Sequence, residues 1–288
     1  MKYEPEILET TRTFSGVLAN LKSKIPFILL LLLAFLIFGL PLTGIIQDPY
    51  RIDLSHRLLS PSREFPLGTD ALGRCLLSRT VIGGKITIIS GLFATVLAAS
   101  LGTIMALISM IRHSIIRETV TLIMDSWLAF PDLLLVFMLT LIFGDSISGL
   151  IISLALAVWP WWGRFVRNLL LVAYAQEHVI ASRVAGVGSL RLFRFSVLPQ
   201  ILPPLGSAFF IRSARSIVLF GGVGFLGLGM QPPMPEWGAM VRDSMPLILG
   251  APWMIIGPAV GFTIVVAIFQ WCAVNIRNFT NDRGYSFL

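Results

Sequence analysis

Four ionisable side chains stand inside otherwise apolar runs. Asp125 and Asp132 lie seven residues apart between Thr119 and Phe143, and Arg212 and Arg215 lie one turn apart between about Leu205 and Gly229. Each such charge costs about 2.5–3.5 kcal/mol at the centre of a lipid-facing helix, so the four must pair, or face a bundle interior, a water-filled path or the headgroups. On one continuous helix Asp125 and Asp132 would share a face about two turns apart, with Pro131 adding a kink between them. Two readings of the arginines stand side by side. One of them pairs with Asp125, or both snorkel to the cytoplasmic interface.

Other chemistry is thinly supplied. His56, His113 and His178 are scattered without an i,i+4 partner, so no metal site is expected. Cys75 and Cys272 stand roughly two hundred residues apart and suggest neither a disulfide framework nor a zinc site. Gly83-Gly84-Lys85 is followed by Ile86-Thr87, and Arg79 occupies the distal glycine position of a phosphate-cradling loop. Any ATP chemistry must therefore sit on another chain. Gly222, Gly224 and Gly227 have the G-x-G-x-x-G spacing, but no strand precedes them, and they read as glycines for close helix packing. No nucleophile–base pair emerges, so no catalytic role is expected of this chain.

The elements that must position these groups follow from composition. Of 288 residues, 56% are hydrophobic and only 13% charged, with a mean hydropathy of +0.84. A soluble domain carries about 25% charged residues, so this chain has too little charge to cover a water-facing surface. That excludes an ordinary soluble enzyme, a disordered protein and a disulfide scaffold. The net charge of +7 would suggest nucleic acid in a soluble protein; in a membrane protein it reflects basic cytoplasmic loops facing anionic lipid, and no nucleic-acid partner is expected.

Six spans are predicted. Pro26–Ile46 is uncharged, and 15 of its residues are Leu, Ile, Phe or Val, each contributing about −0.3 to −0.6 kcal/mol at a helix centre. It has no cleavage site after it and reads as an uncleaved anchor. The others are Ile86–Ile111, Thr119–Phe143, Ile147–Gly163, about Leu205–Gly229 and about Trp253–Ile276. Lys22 and Lys24 before the first span put residues 1–25 in the cytoplasm, and six spans return the C-terminus there. Residues 26–288 then form one all-α membrane domain: first span 26–46, an outer polar loop 47–85, and a five-helix core. The stretch 230–252 is an outer connection rich in proline and glycine.

The inner segment 164–203 is the most informative. Gln176–Ala185 is helix-compatible, Gly186 and Gly188 break it, and a basic-apolar piece, Leu190–Leu198, stops at Pro199. A short exposed helix ended by glycine suits docking into a groove on a partner.

Here the chain resembles a known family. Ala181-Ser182-Arg183, Gly186, and Leu198-Pro199 twelve residues later follow the spacing of the EAA loop (about 176–199) of ABC importer permeases, with Ile180 in place of the acidic residue and Ser182 in place of the second alanine. Leu67-Gly68-Thr69-Asp70-Ala71-Leu72-Gly73-Arg74 is similar to a signature of the nickel, dipeptide and oligopeptide branch, with Cys75 where an aspartate is usual. Phe225-Leu226-Gly227-Leu228-Gly229, then Pro232-Pro233 and Trp237-Gly238, resemble that branch as well.

The resemblance implies a type I importer fold in the bacterial cytoplasmic membrane, without cofactor or metal. It implies a second permease subunit (a heterodimer), two ATPase subunits, an extracytoplasmic binding protein and surrounding lipid as partners. Glu177, Ala181, Ser182, Arg183, Gly186 and Val187 would form the coupling segment that docks on the ATPase, with Gly186 permitting a tight turn that a side chain would obstruct. Gly68, Thr69, Asp70, Gly73 and Arg74, with Pro232, Pro233, Trp237 and Gly238, would shape the outer mouth or simply fold the loops. Ile52-Asp53-Leu54, Arg57–Pro61 and the Ala-Ser-Arg form resemble nickel-type permeases somewhat more than peptide-type ones. An autonomous secondary transporter using Asp125 and Asp132 is the alternative of another class.

Overall fold

In the computed structural model the described residues are 24–44, 46–111 and 113–281, with side chains described to residue 278. Lys22, nearly all of the predicted N-terminal segment and the last seven residues lie outside them. The described elements are helical: α1 (Lys24–Thr43), α2 (Leu76–Ile108), α3 (Ser114–Leu128), α4 (Asp132–Phe143), α5 (Ile147–Tyr174), α6 (Glu177–Val184), α7 (Ser189–Leu228), α8 (Trp237–Ser244) and α9 (Trp253–Asn281). Five of these are long and apolar enough to cross a membrane, six if the bent pair α3–α4 counts as one span. That agrees with the expected all-α architecture.

The core is a bundle of α2, α5, α7 and α9. Ala155, Ala157, Phe220 and Val223 meet in one buried cluster toward one end. Leu170, Ala173, Val179, Val197 and Ile201 meet in another toward the other end, so α5 and α7 run antiparallel. α1 is mostly exposed and buries chiefly Ile37 against the bundle.

Three expectations need correction. First, the run Thr119–Phe143 is not one kinked helix. It is two helices bent by 98° at Ala129–Pro131. Phe130 precedes a proline and cannot easily stay helical, and Pro131 in extended geometry caps the next helix instead. Asp125 and Asp132 therefore sit on different helices and do not share a face. Second, the polar loop ends at Cys75, not residue 85, and Arg79 and Lys85 lie within α2. Gly83 and Gly84 lie within this helix, where the Trp237 ring packs against them and leaves no room for a side chain at Gly84. Third, Pro199 does not end a helix. A π turn at Phe193–Val197 loosens the hydrogen-bond ladder just where the proline has no N–H to donate, and α7 continues to Leu228.

Candidate functional site

At one end of the bundle, α6 replaces the predicted helix 176–185 with nearly the same bounds. Its single buried residue is Val179, fully enclosed among Ala173, Leu192 and Val197. Gly186 has φ +82°, and its N–H donates to the Arg183 carbonyl while the Val187 N–H donates to that of Ser182. This is the Schellman closure, which needs a left-handed residue after the helix. The space where a Gly186 side chain would stand is open. The glycine is thus demanded by backbone conformation, not by a crowded turn as expected.

The remaining predicted residues of this segment are spread over an open surface. Glu177, Ala181 and Arg183 are exposed, and the Ser182 hydroxyl donates back to the His178 carbonyl at 2.7 Å. Val184 is 84% exposed, and Ile180, Leu190 and Phe195 are also exposed, so this end carries an apolar patch without a partner among the described residues. His178 ties α6 to α7, because its Nε2 lies 2.8 Å from the side-chain amide of Gln200. Only the register between two helices shows this contact.

Midway along the bundle the four intramembrane charges find partners other than those expected. Asp125 on α3 pairs with Arg164 on α5 at 2.9 Å. Asp132 on α4 pairs with Arg215 on α7 at 2.8 Å. The Arg212 guanidinium lies 3.3 Å from the ring centre of Trp161 on α5. Neither arginine meets Asp125, because the bend carries Asp132, not Asp125, to α7. Both arginines are engaged within the bundle, Arg212 on the Trp161 ring and Arg215 on Asp132. The side chain of Arg215 is 55% exposed and Asp125 and Arg164 are similarly open. Within a bilayer such charges are too costly to face hydrocarbon, so water or protein would have to cover this face there.

At the opposite end, residues 53–75 fold into a cross-braced loop. The Asp70 carboxylate accepts from the Leu72 and Arg74 backbone N–H groups at 2.8 and 3.0 Å and from Arg74 Nε at 2.6 Å, and lies 3.5 Å from Arg79 Nε. All three charged side chains are buried. Arg79 also donates to the Pro49 and Pro233 carbonyls, which joins this loop to the proline-rich connection. Thr69 accepts from the Leu59 N–H and donates to the His56 carbonyl. Gly68 and Gly73 both have positive φ, and a Cβ on Gly73 would fall on the Asp53 carbonyl oxygen. Hydrogen bonds from Ser55 and His56 pull the Asp53 carboxyl down to about 2.

Trp237 is buried, donates through Nε1 to the Thr80 carbonyl at 2.7 Å, and packs edge-to-face on Phe262. Gly238 lies against the Gly221 carbonyl, while Pro232 lines an open cleft of about 250 Å³ with Asp70, Arg74, Arg79 and Asp243. Glu236 was not singled out in the sequence. It is completely buried, caps α8 through the Gly238 and Ala239 N–H groups at 2.7 and 2.9 Å, and accepts from the Thr87 hydroxyl. Burial pushes its carboxyl above the ordinary glutamate range, and these hydrogen bonds only partly oppose that. Gly224, from the G-x-G-x-x-G run, leaves the room this carboxylate occupies. The signal for Glu236 was an acceptor immediately before a helical Trp-Gly, an unusual residue for that position.

A family model described as "Binding-protein-dependent transport system inner membrane component" matches residues 98–279. The chain is 34% identical over 224 residues to the dipeptide transport system permease protein DppC of Alkalihalophilus pseudofirmus, covering 78% of this chain and 74% of that one. It is 30% identical over 231 residues to the nickel transport system permease protein NikC of Escherichia coli, covering 80% and 83%. It is also 34% identical to the peptide transport system permease protein SapC of Salmonella typhimurium over 80% of each. Among solved structures, a chain of the inward-facing MetNI methionine ABC transporter superposes with a TM-score of 0.53 at 20% identity, over 70% of this chain and 95% of that one.

Proposed function

Because the chain belongs to the binding-protein-dependent transport system inner membrane components, in their dipeptide, peptide and nickel permease branch, we propose that it carries one wall of a solute pathway and transmits the stroke of a separate ATPase to it. It is a multi-pass inner-membrane permease subunit of an ABC importer and not the ATPase. As such it works with an ATPase and a binding protein. On our reading the complex has a second, different permease subunit and two ATPases, and the Gly186 end and both termini are cytoplasmic.

The observation that carries this reading is α6. It is a two-turn helix anchored by one buried valine, closed by a glycine turn, and showing an apolar patch with no partner among the described residues. That shape fits a groove on another protein. Glu177, Ala181, Ser182, Arg183, Gly186 and Val187 are the contact segment, and Arg191 and Arg194 flank it. The Gly73 end, with Pro232, Pro233, Trp237 and Gly238, forms the mouth toward the binding protein, although most of its named residues act by holding that mouth together.

The solute is a di- or oligopeptide or a nickel complex. The nickel-like residues around Asp53 and Arg57 support no choice, since Asp53 is spent on capping its own turn. Uptake by proteoliposomes holding the complete transporter tests the coupling. ATP-driven uptake should vanish when the ATPases are omitted, and a cysteine at Val184 should be labelled from the cytoplasmic side only. Uptake that persists without ATPases would favour the secondary transporter.

A further inference from the structure

This inference rests on the proposed function and takes the charged mid-bundle face as the pathway wall. The pairs on that face form one connected line. Arg164 and Trp161 are a turn apart on α5, Arg212 and Arg215 a turn apart on antiparallel α7, and Arg212 lies on the Trp161 ring. Three guanidinium groups stand in this line against two carboxylates. Arg164 and Arg215 each have a carboxylate within 3 Å, whereas Arg212 has none among the described residues. An aromatic face attracts a cation without neutralising it, and it leaves the in-plane N–H donors free. The narrow recess beside it is walled mainly by Ala98, Val158, Trp161 and Trp162, and the Thr95 hydroxyl at its edge donates to the Gly91 carbonyl, so little there compensates the guanidinium. Asp125 also lines a cleft with Arg117, Arg167 and Glu118, in which Arg117 lies 3.7 Å from Glu118.

We propose that this wall selects for carboxylate, with Arg212, held at mid-height by Trp161, as the specificity-determining residue. It favours solutes that carry a free carboxylate, such as a peptide C-terminus or a metal enclosed in a polycarboxylate chelator, and it disfavours a bare divalent cation. Arg215 and Asp132 hold each other and leave the net charge to Arg212.

The test uses the complete transporter in lipid nanodiscs, with Cys75→Ala and Cys272→Ala removing both native thiols and Val218→Cys as reporter. Val218 is exposed one turn beyond Arg215 on the same face. Its modification rate is measured with a sulfonate-bearing and a trimethylammonium-bearing methanethiosulfonate, each normalised to its rate with 2-mercaptoethanol. The anionic reagent should react at least about fivefold faster. Arg212→Gln should bring the two rates together, and Arg212→Lys should keep them apart. Equal rates with Arg212 present, a faster cationic reagent, or a ratio indifferent to Arg212→Gln would overturn the selectivity while leaving the pathway reading intact. A thiol that reacts with N-ethylmaleimide but with neither charged reagent faces lipid, which sinks the pathway reading itself; a thiol closed to all three is covered by protein and sinks it equally.

Discussion

The Gly186 end and the Gly73 end are both picked out by short sequence signatures, yet they are built on opposite principles. Around Gly73 the named side chains satisfy one another. Asp70 is closed by Arg74, Arg79 and two backbone N–H groups, and Glu236 by two N–H groups and a hydroxyl. Within α6 only Val179 is buried, and the exposed Ile180 and Val184 meet nothing among the described residues. A buried, self-satisfied motif serves its own fold, whereas an exposed one with orphan apolar groups serves a surface it does not contain. Substitutions at the two ends should therefore separate stability from transport.

The largest effect is expected at Asp70. Asp70→Ala strands two buried guanidinium groups, and removing one member of a buried charge cluster costs about 3–5 kcal/mol. Thermal unfolding of the purified permease should show a large loss, with transport failing only as a consequence. A melting curve like wild type would mean that the Gly73 end is not self-supporting.

Glu236→Ala comes second, at up to about 2 kcal/mol, since it removes both cap acceptors of α8. It also carries a pH signature. Burial raises the folded-state carboxyl above its unfolded value, so the folded protein holds the proton more tightly. The resulting stability is full below the unfolded pKa and is lost as pH rises through the raised one. Arg242 is the charged neighbour that opposes the shift. Wild type should thus gain thermal stability on mild acidification, and the variant should lose that component; the same slope in both would assign it elsewhere.

How far each end could be read without coordinates follows the same division. The apolar runs and the helix around Arg183 are local signals, and their bounds in the structure differ by few residues at α6. The closure at Gly186 was also legible, because a Schellman turn depends on consecutive residues. What was not legible depends on distant parts of the chain meeting. The bend at Ala129–Pro131 decides that Arg164 rather than Arg212 meets Asp125. The burial of Glu236 needs Thr87 from α2 and the gap left by Gly224 on α7. The close packing at Gly84 on α2 needs the Trp237 ring from α8. No window of sequence contains those partners.

Gly186→Ala is third. An alanine held in the left-handed region costs about 1 kcal/mol, and nothing crowds the added methyl. Gly186→Asn should recover part of it, because asparagine tolerates that conformation. Unfolding measurements on the two variants check the order; a loss as large as that of Asp70→Ala would mean that this turn is packed in a way the open space around it contradicts.

The smallest stability effect and the sharpest contrast belong to Val184. At 84% exposure it contributes almost nothing to the fold, so Val184→Asp should change stability by no more than about 0.5 kcal/mol. Yet an aspartate there places a solvated charge in the apolar patch that the proposed ATPase groove must cover, and a buried unpaired charge is far costlier than an exposed one. Co-purification with the ATPase and ATP-driven uptake should both collapse while the melting curve stays put. An Asp70→Ala protein should do the reverse, melting early while whatever folds still binds the ATPase. Unchanged uptake in Val184→Asp would leave α6 as a surface helix without a partner, and the distinction between the two ends would be one of burial alone.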